Sequence, residues 1–295
     1  MAYFKIEDIC ISFDQVPKPV LKNVSLEVKE KEIVSIIGES GCGKSTLLKI
    51  AAGLIEQEQG DVFLNGGRVL RPSEHLIKGH KKIKLVEQYA ELLPNHNVFE
   101  NLTYKLRNFI DEYQHQKVEE LLTLTNLKGF ENRKPRDLSG GQRQRLAIAC
   151  ALADDPDVIL FDEPFSHLDN ANKIYLLTEL RDIIKDTGIT VIFVTHSGEE
   201  ALTLSDRILV MKEGEIIEEG IPKELYSNPK YDYTASFFGF NNFIPGKELA
   251  KLYSDKSYND SELWGIKAEG IQKCSPIKKG AVLANIVSEY YLGNS

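Results

Sequence analysis

The chain has 295 residues, 42% hydrophobic and 27% charged, which is ordinary for a globular protein and long enough for one large domain plus a small one. Acidic residues number 44 against 36 basic ones, so the formal net charge is −8 and a nucleic-acid partner is disfavoured. No apolar run approaches the ~20 residues needed to span a bilayer, so work at a membrane would require other polypeptides to hold the chain there.

The N-terminus, "MAYFKIEDIC", mixes charged and apolar residues and has no signal-peptide core. Residues 3–34 alternate apolar and polar positions, as in "VLKNVSLEV", and predict strands. "EIVSIIG" is a β-branched run ending at Gly38, the pattern of a strand buried on both faces. "KSTLLKIAAGL" predicts a helix closed by Gly53, and "GDVFLNGGRV" a hairpin turning at Asn65–Gly66. Residues 97–153 change character, with Val118, Leu121 and Leu122 at helical spacing; an inserted helical subdomain is expected at about 88–155. "DVILFDEP", a helix over about 170–187, "TVIFVTH", another helix, "RILVMKEG" and "EIIEEG" follow. Strands alternating with helices predict a mostly parallel, doubly wound sheet. Beyond about residue 222, prolines punctuate short segments without clear period, and residues 236–295 are expected to form a small β-rich appendage. The four cysteines (Cys10, Cys42, Cys150 and Cys274) form no C-x-x-C pair, which disfavours a zinc site or disulfide framework and suits a reducing cytosol.

"GESGCGKS" matches the phosphate-loop pattern G-x-x-x-x-G-K-[ST], between a predicted strand and a predicted helix. Its glycines let the backbone wrap phosphates with inward N–H groups. Lys44 is placed to reach the β- and γ-phosphates, and the Ser45 hydroxyl to ligate Mg²⁺. Cys42 lies inside the loop, where it reads chiefly as a small residue that fits. Downstream, Asp162 ends an apolar strand as a candidate Mg²⁺ ligand, and Glu163 is the candidate that orients the attacking water. Alone, such an Asp–Glu pair is commonly a solvated loop; the phosphate loop reverses that reading. His196 ends another strand and is a candidate phosphate contact. "DLSGGQRQRLAIA" supplies a second anion site, because Ser139, Gly140 and Gly141 lead into a helix whose first N–H groups lack partners.

Together these motifs resemble the ATPase subunit of ATP-binding cassette (ABC) transporters. "GESGCGKST" (Gly38, Glu39, Ser40, Gly41, Cys42, Gly43, Lys44, Ser45 and Thr46) resembles the Walker A loop, and "VILFDEP" the Walker B strand. "LSGGQRQRLAIA", with Ser139, Gly140, Gly141 and Gln142, is similar to the family signature. Gln88 falls in a Q-loop-like stretch, where the resemblance gives it a catalytic and metal role. "SHLD", ending at Asp169, resembles the D-loop; His196 resembles the switch histidine, and Phe13 the aromatic residue that stacks on adenine.

The resemblance covers residues 3–220 and implies an α/β P-loop NTPase fold with a mostly parallel sheet, an antiparallel β subdomain, a helical subdomain and the β-rich C-terminal appendage. It also implies ATP and Mg²⁺ as cofactors and a head-to-tail homodimer, in which Ser139 and Gly141 of one copy grip the γ-phosphate held by the other. Residues 1–235 would form the cassette and 236–295 an accessory domain. The implied partners are transmembrane permease subunits and an extracellular solute-binding protein, and the implied place is the cytoplasmic face of the cell membrane. The permease would dock by the Q-loop region, with Leu92, Leu93 and Phe99 supplying an apolar groove.

The chain departs from the family pattern where Lys31 replaces a turn glycine, where His167 replaces a small D-loop residue, and where Phe13 replaces the commoner tyrosine. "ELYSNPKYDYTASFFGFNNFIPG" resembles a segment of importer ATPases for polyamines, ferric iron, sulfate, molybdate or sugars. "LWGIKAEGIQ" is similar to the "GIRPE" stretch of their regulatory domain, with Lys267 and Ala268 in place of Arg and Pro. An exporter ATPase shares the chemistry, and the importer-like tail argues against it. A soluble ABC ATPase of translation or DNA repair usually carries two cassettes or a long coiled coil, and one P-loop stands here without either.

Overall fold

The computed structural model describes residues 2–13, 18–87, 92–165, 170–245 and 263–267. The chain divides into two compact units, Met1–Asn228 and Pro229–Ser295.

In the first unit, β1 (Phe4–Ile11), β2 (Leu21–Val28), β4 (Gln59–Leu64) and β5 (Gly67–Arg68) form an antiparallel sheet in the order β2-β1-β4-β5. Its hairpin turns at Asn65 and Gly66, both at positive φ (47° and 78°), as a two-residue I′ turn requires. A six-stranded sheet has the order β10-β9-β3-β8-β7-β6, built from β3 (Ile33–Ile37), β6 (Ile83–Val86), β7 (Val158–Asp162), β8 (Thr190–Thr195), β9 (Arg207–Lys212) and β10 (Glu215–Gly220). All its neighbours run parallel except β9 and β10.

Alternate residues of the central strands feed two separate cores. Ile159 and Phe161 of β7, with Val191 and Phe193 of β8, pack against the helices of one face. Leu160, Ile192 and Val194 pack with α1 (Lys44–Ala51) and the antiparallel sheet on the other. Burial on both faces is why these strands read as unbroken apolar runs.

The helical face holds α2 (Val98–Lys105), α3 (Asp111–Leu124), α4 (Gly140–Leu152), α5 (Asn170–Thr187) and α6 (Gly198–Leu204). Val118, Leu121 and Leu122 are all buried, as their spacing predicts. No apolar period marks α7 (Pro222–Ser227), although Pro222 at its first turn is a helix-start residue. In the second unit, α8 (Asp232–Phe237) packs against the antiparallel pair β11 (Phe240–Pro245) and β12 (Leu263–Lys267). The rest of the C-terminal appendage, including Ala268–Gln272, lies outside the described residues. Among the described residues, no helix is long and apolar enough to cross a membrane.

Candidate active site

β3 delivers Gly38 to the loop that turns into α1. Gly43 caps α1 in the left-handed region at φ 109°. Lys44 is 4% exposed, and its Nζ donates to the carbonyls of Gly38 at 2.7 Å and Glu39 at 2.8 Å. Glu39, Ser40 and Gly41 are exposed at the loop's mouth, and Thr46 is half-buried in the first turn of α1. Cys42 is buried beneath them. Burial pushes its thiol pKa up, against the pull of Lys44, so the group stays a protonated filler.

The Ser45 hydroxyl donates to Asp162 Oδ1 at 2.8 Å, joining the loop to the end of β7. Asp162 is buried, and that burial raises its carboxyl pKa; the Ser45 bond opposes this and the Glu163 charge adds to it. A hydroxyl and a desolvated carboxylate side by side are hard oxygen donors that suit Mg²⁺. Lys49 of α1 pairs with Glu87 at 3.0 Å, a long-range contact with no local signal in the sequence.

Glu163 sits at φ 46°, a left-handed backbone that costs a non-glycine residue about 1–2 kcal/mol. Its N–H donates to Val194 O at 3.1 Å, which ties the end of β7 to β8. The parallel register pairs Asp162 with Val194, so the two strands finish side by side. His196, just past β8, thereby brings Nδ1 to 3.3 Å from Glu163 Oε2. A non-glycine residue held in the left-handed region, as Glu163 is, is the kind of backbone outlier that clusters at functional sites. The structure thus joins Lys44, Ser45, Asp162, Glu163 and His196 at the C-terminal edge of one parallel sheet, where such folds bind ligands.

Ser139 caps α4. Its hydroxyl accepts from Gln142 N–H at 3.2 Å, while Gln142 Oε1 accepts from Ser139 N–H at 3.0 Å. This capping box leaves the first-turn N–H groups of Gly140 and Gly141 without intrahelical partners. Gly141 has a second duty: a Cβ there would lie 3.0 Å from the methyl groups of Leu176 of α5, so a side chain would require Leu176 to give way by a few tenths of an ångström.

Phe13 lies beyond the end of β1 and is 40% exposed. Gln88, Asp169 and His167 lie outside the described residues. Leu92 lines a groove of about 250 Å³ between β6 and α4. Phe99 packs on the helical-face core, and both polar groups of the Leu93 backbone are held by the buried Asn101 side chain.

Residues 21–166 match the family model described as ABC transporter. Over 227 residues the chain is 43% identical to the spermidine/putrescine import ATP-binding protein PotA of Thermotoga maritima, a match covering 76% of this chain and 61% of that protein. The chain thus spans about three fifths of the length of that curated relative. Among solved structures, cbiO1 from Clostridium perfringens, described as part of the ABC transporter complex cbiONQ, matches with a TM-score of 0.71 and 26% identity. That match covers 77% of this chain and 91% of the other.

Proposed function

The chain carries an ABC transporter ATPase domain, and on that premise we propose that it binds and hydrolyses ATP to power a membrane importer. The observation that carries this reading is the convergence of Lys44 and Ser45 with Asp162, beside the Glu163–His196 pair. Lys44 exchanges its bonds to the Gly38 and Glu39 carbonyls for the β- and γ-phosphates. Ser45 and Asp162 hold Mg²⁺, joined by Gln88 on the strength of the resemblance; the ion supplies charge that offsets the phosphates. Glu163 orients and polarises the attacking water, and His196 keeps the Glu163 carboxylate in place while reaching toward the transferred phosphate. Positioning and electrostatics supply most of the rate in such phosphoryl transfer.

The second cradle at Ser139, Gly140 and Gly141 is assigned to the γ-phosphate of ATP bound to a second copy, with Gln142 and Asp169 at the same interface. Phe13 is assigned to adenine stacking, which needs only its ring. Permease subunits would dock beside Leu92, an extracellular solute-binding protein would deliver solute, and the chain would work at the cytoplasmic face of the membrane. Residues 1–235 are assigned to the cassette and 236–295 to an accessory domain. Import is favoured because the Thermotoga maritima relative is an import protein.

Glu163→Gln is the direct test. ATP binding should persist while hydrolysis nearly vanishes and ATP-bound dimers accumulate; full turnover would overturn the catalytic assignment. Ser139→Arg should keep ATP on the Walker A side yet block dimerisation, and ATP-dependent dimers of that variant would refute the cross-subunit role.

A further inference from the structure

Glu200, on α6, is 2% exposed although its side chain ends in a carboxyl group. Its Oε1 meets Lys173 Nζ of α5 at 2.5 Å, and its Oε2 accepts from the Thr195 hydroxyl at 2.5 Å. Stability alone is a poor reason for this arrangement, because desolvating two charges offsets most of their attraction. Its geometry is more informative. The Thr195 hydroxyl that Glu200 fixes also accepts from Ser197 N–H at 3.0 Å. One oxygen therefore pins the residues on both sides of His196. The Ser197 hydroxyl in turn accepts from Glu200 N–H at 3.4 Å, capping α6. The His196 side chain itself is 55% exposed, so the clamp acts on its backbone while the ring stays accessible to Glu163 and solvent.

We propose that Lys173, Glu200 and Thr195 are positioning residues that set the His196 imidazole against Glu163. The inference rests on the assignment of His196 to hydrolysis. It adds that α5 is mechanically tied, through the Lys173–Glu200 pair, to the strand end that carries the histidine. A shift of Lys173 along α5 is then felt at His196 without contact between them.

The test uses the full chain with its six histidines labelled at the ring, the His196 resonance being assigned by its loss in His196→Gln. Thr195→Val keeps the side-chain shape and removes the hydroxyl. It should shift or broaden the His196 signal and lower kcat about tenfold, with KM for ATP unchanged within about twofold. Thr195→Ser should restore both. An unmoved His196 resonance with wild-type kcat would overturn the proposal. Should Thr195→Val not fold, Lys173→Met on the half-buried end of the network serves instead, and an unmoved resonance there would equally refute it. If the wild-type chain hydrolyses no ATP, the functional assignment fails, and the resonance still decides the positioning.

Discussion

Alanine at Gly38 and at Gly41 separates two reasons for glycine within one loop. At Gly38 the backbone conformation is ordinary, but an added Cβ would lie 2.3 Å from the carbonyl oxygen of Met211 and 2.7 Å from Cys42 Sγ. Real Cβ atoms essentially never come within 3.0 Å of such atoms, so at least 0.7 Å of movement (3.0 less 2.3) is needed. The obstacle is main chain of β9, hydrogen-bonded inside the sheet beside β3, and it cannot rotate away. Overpacking of that kind costs about 3 kcal/mol, which for a unit of this size lowers Tm by roughly 6–12 °C. At Gly41 the reverse holds: φ is +83° and nothing lies within 4 Å of the added atom. Only the backbone penalty remains, about 1 kcal/mol, or roughly 2–4 °C. Gly38→Ala should also weaken ATP binding, because the shift that clears Met211 displaces the start of the loop that carries Lys44. Thermal melts without nucleotide and titration with a fluorescent ATP analogue measure both effects. If Gly38→Ala melts no lower than Gly41→Ala, the close-approach argument is wrong.

Lys31 adopts φ 63°, so Lys31→Gly should raise stability by up to about 1 kcal/mol, read as a higher urea midpoint; the greater freedom of glycine in the unfolded chain trims the gain. Leu146→Ala, at a fully buried site in the helical-face core, should cost about 3 kcal/mol in the same assay. Asp206 accepts from Lys185, Arg181 and the Ile33 N–H; burial works against its charge, but these bonds hold its pKa below the usual value. Its contribution is therefore complete above an unfolded pKa of about 3.9 and is lost as pH falls through the lower folded value. Asp206→Asn should be less stable than wild type at neutral pH, with the two stability curves converging in acid; a constant gap down to the acid limit would refute the linkage.

The strands were legible because each central one is apolar on both faces, and the phosphate loop because its spacing is unusual and its flanks agree. Lys44, Ser45, Asp162, Glu163 and His196 could each be picked out singly. What could not be read was their mutual setting. The left-handed backbone of Glu163 has no marker in a Glu–Pro dipeptide, whereas Lys31 betrayed its conformation by standing where related chains carry glycine. Lys173 and Glu200 are ordinary charged helix residues in sequence, 27 positions apart, and only the packing of α5 on α6 brings them together. Gly141 looked like a phosphate contact alone, and its packing against Leu176 depends on the approach of a distant helix. The short helices α7 and α8 have too few turns to display a period.

The site hangs on the tips of β7 and β8, and those same strands divide one core from the other. Sliding either strand by a fraction of an ångström displaces Asp162 and Glu163 relative to His196 directly, with no flexible loop between to absorb the motion. The sheet works as a strain gauge. Conservative swaps at Ile159, Leu160 or Ile192, all buried beneath the site and remote from solvent, should therefore alter turnover although no phosphate-facing residue is itself replaced.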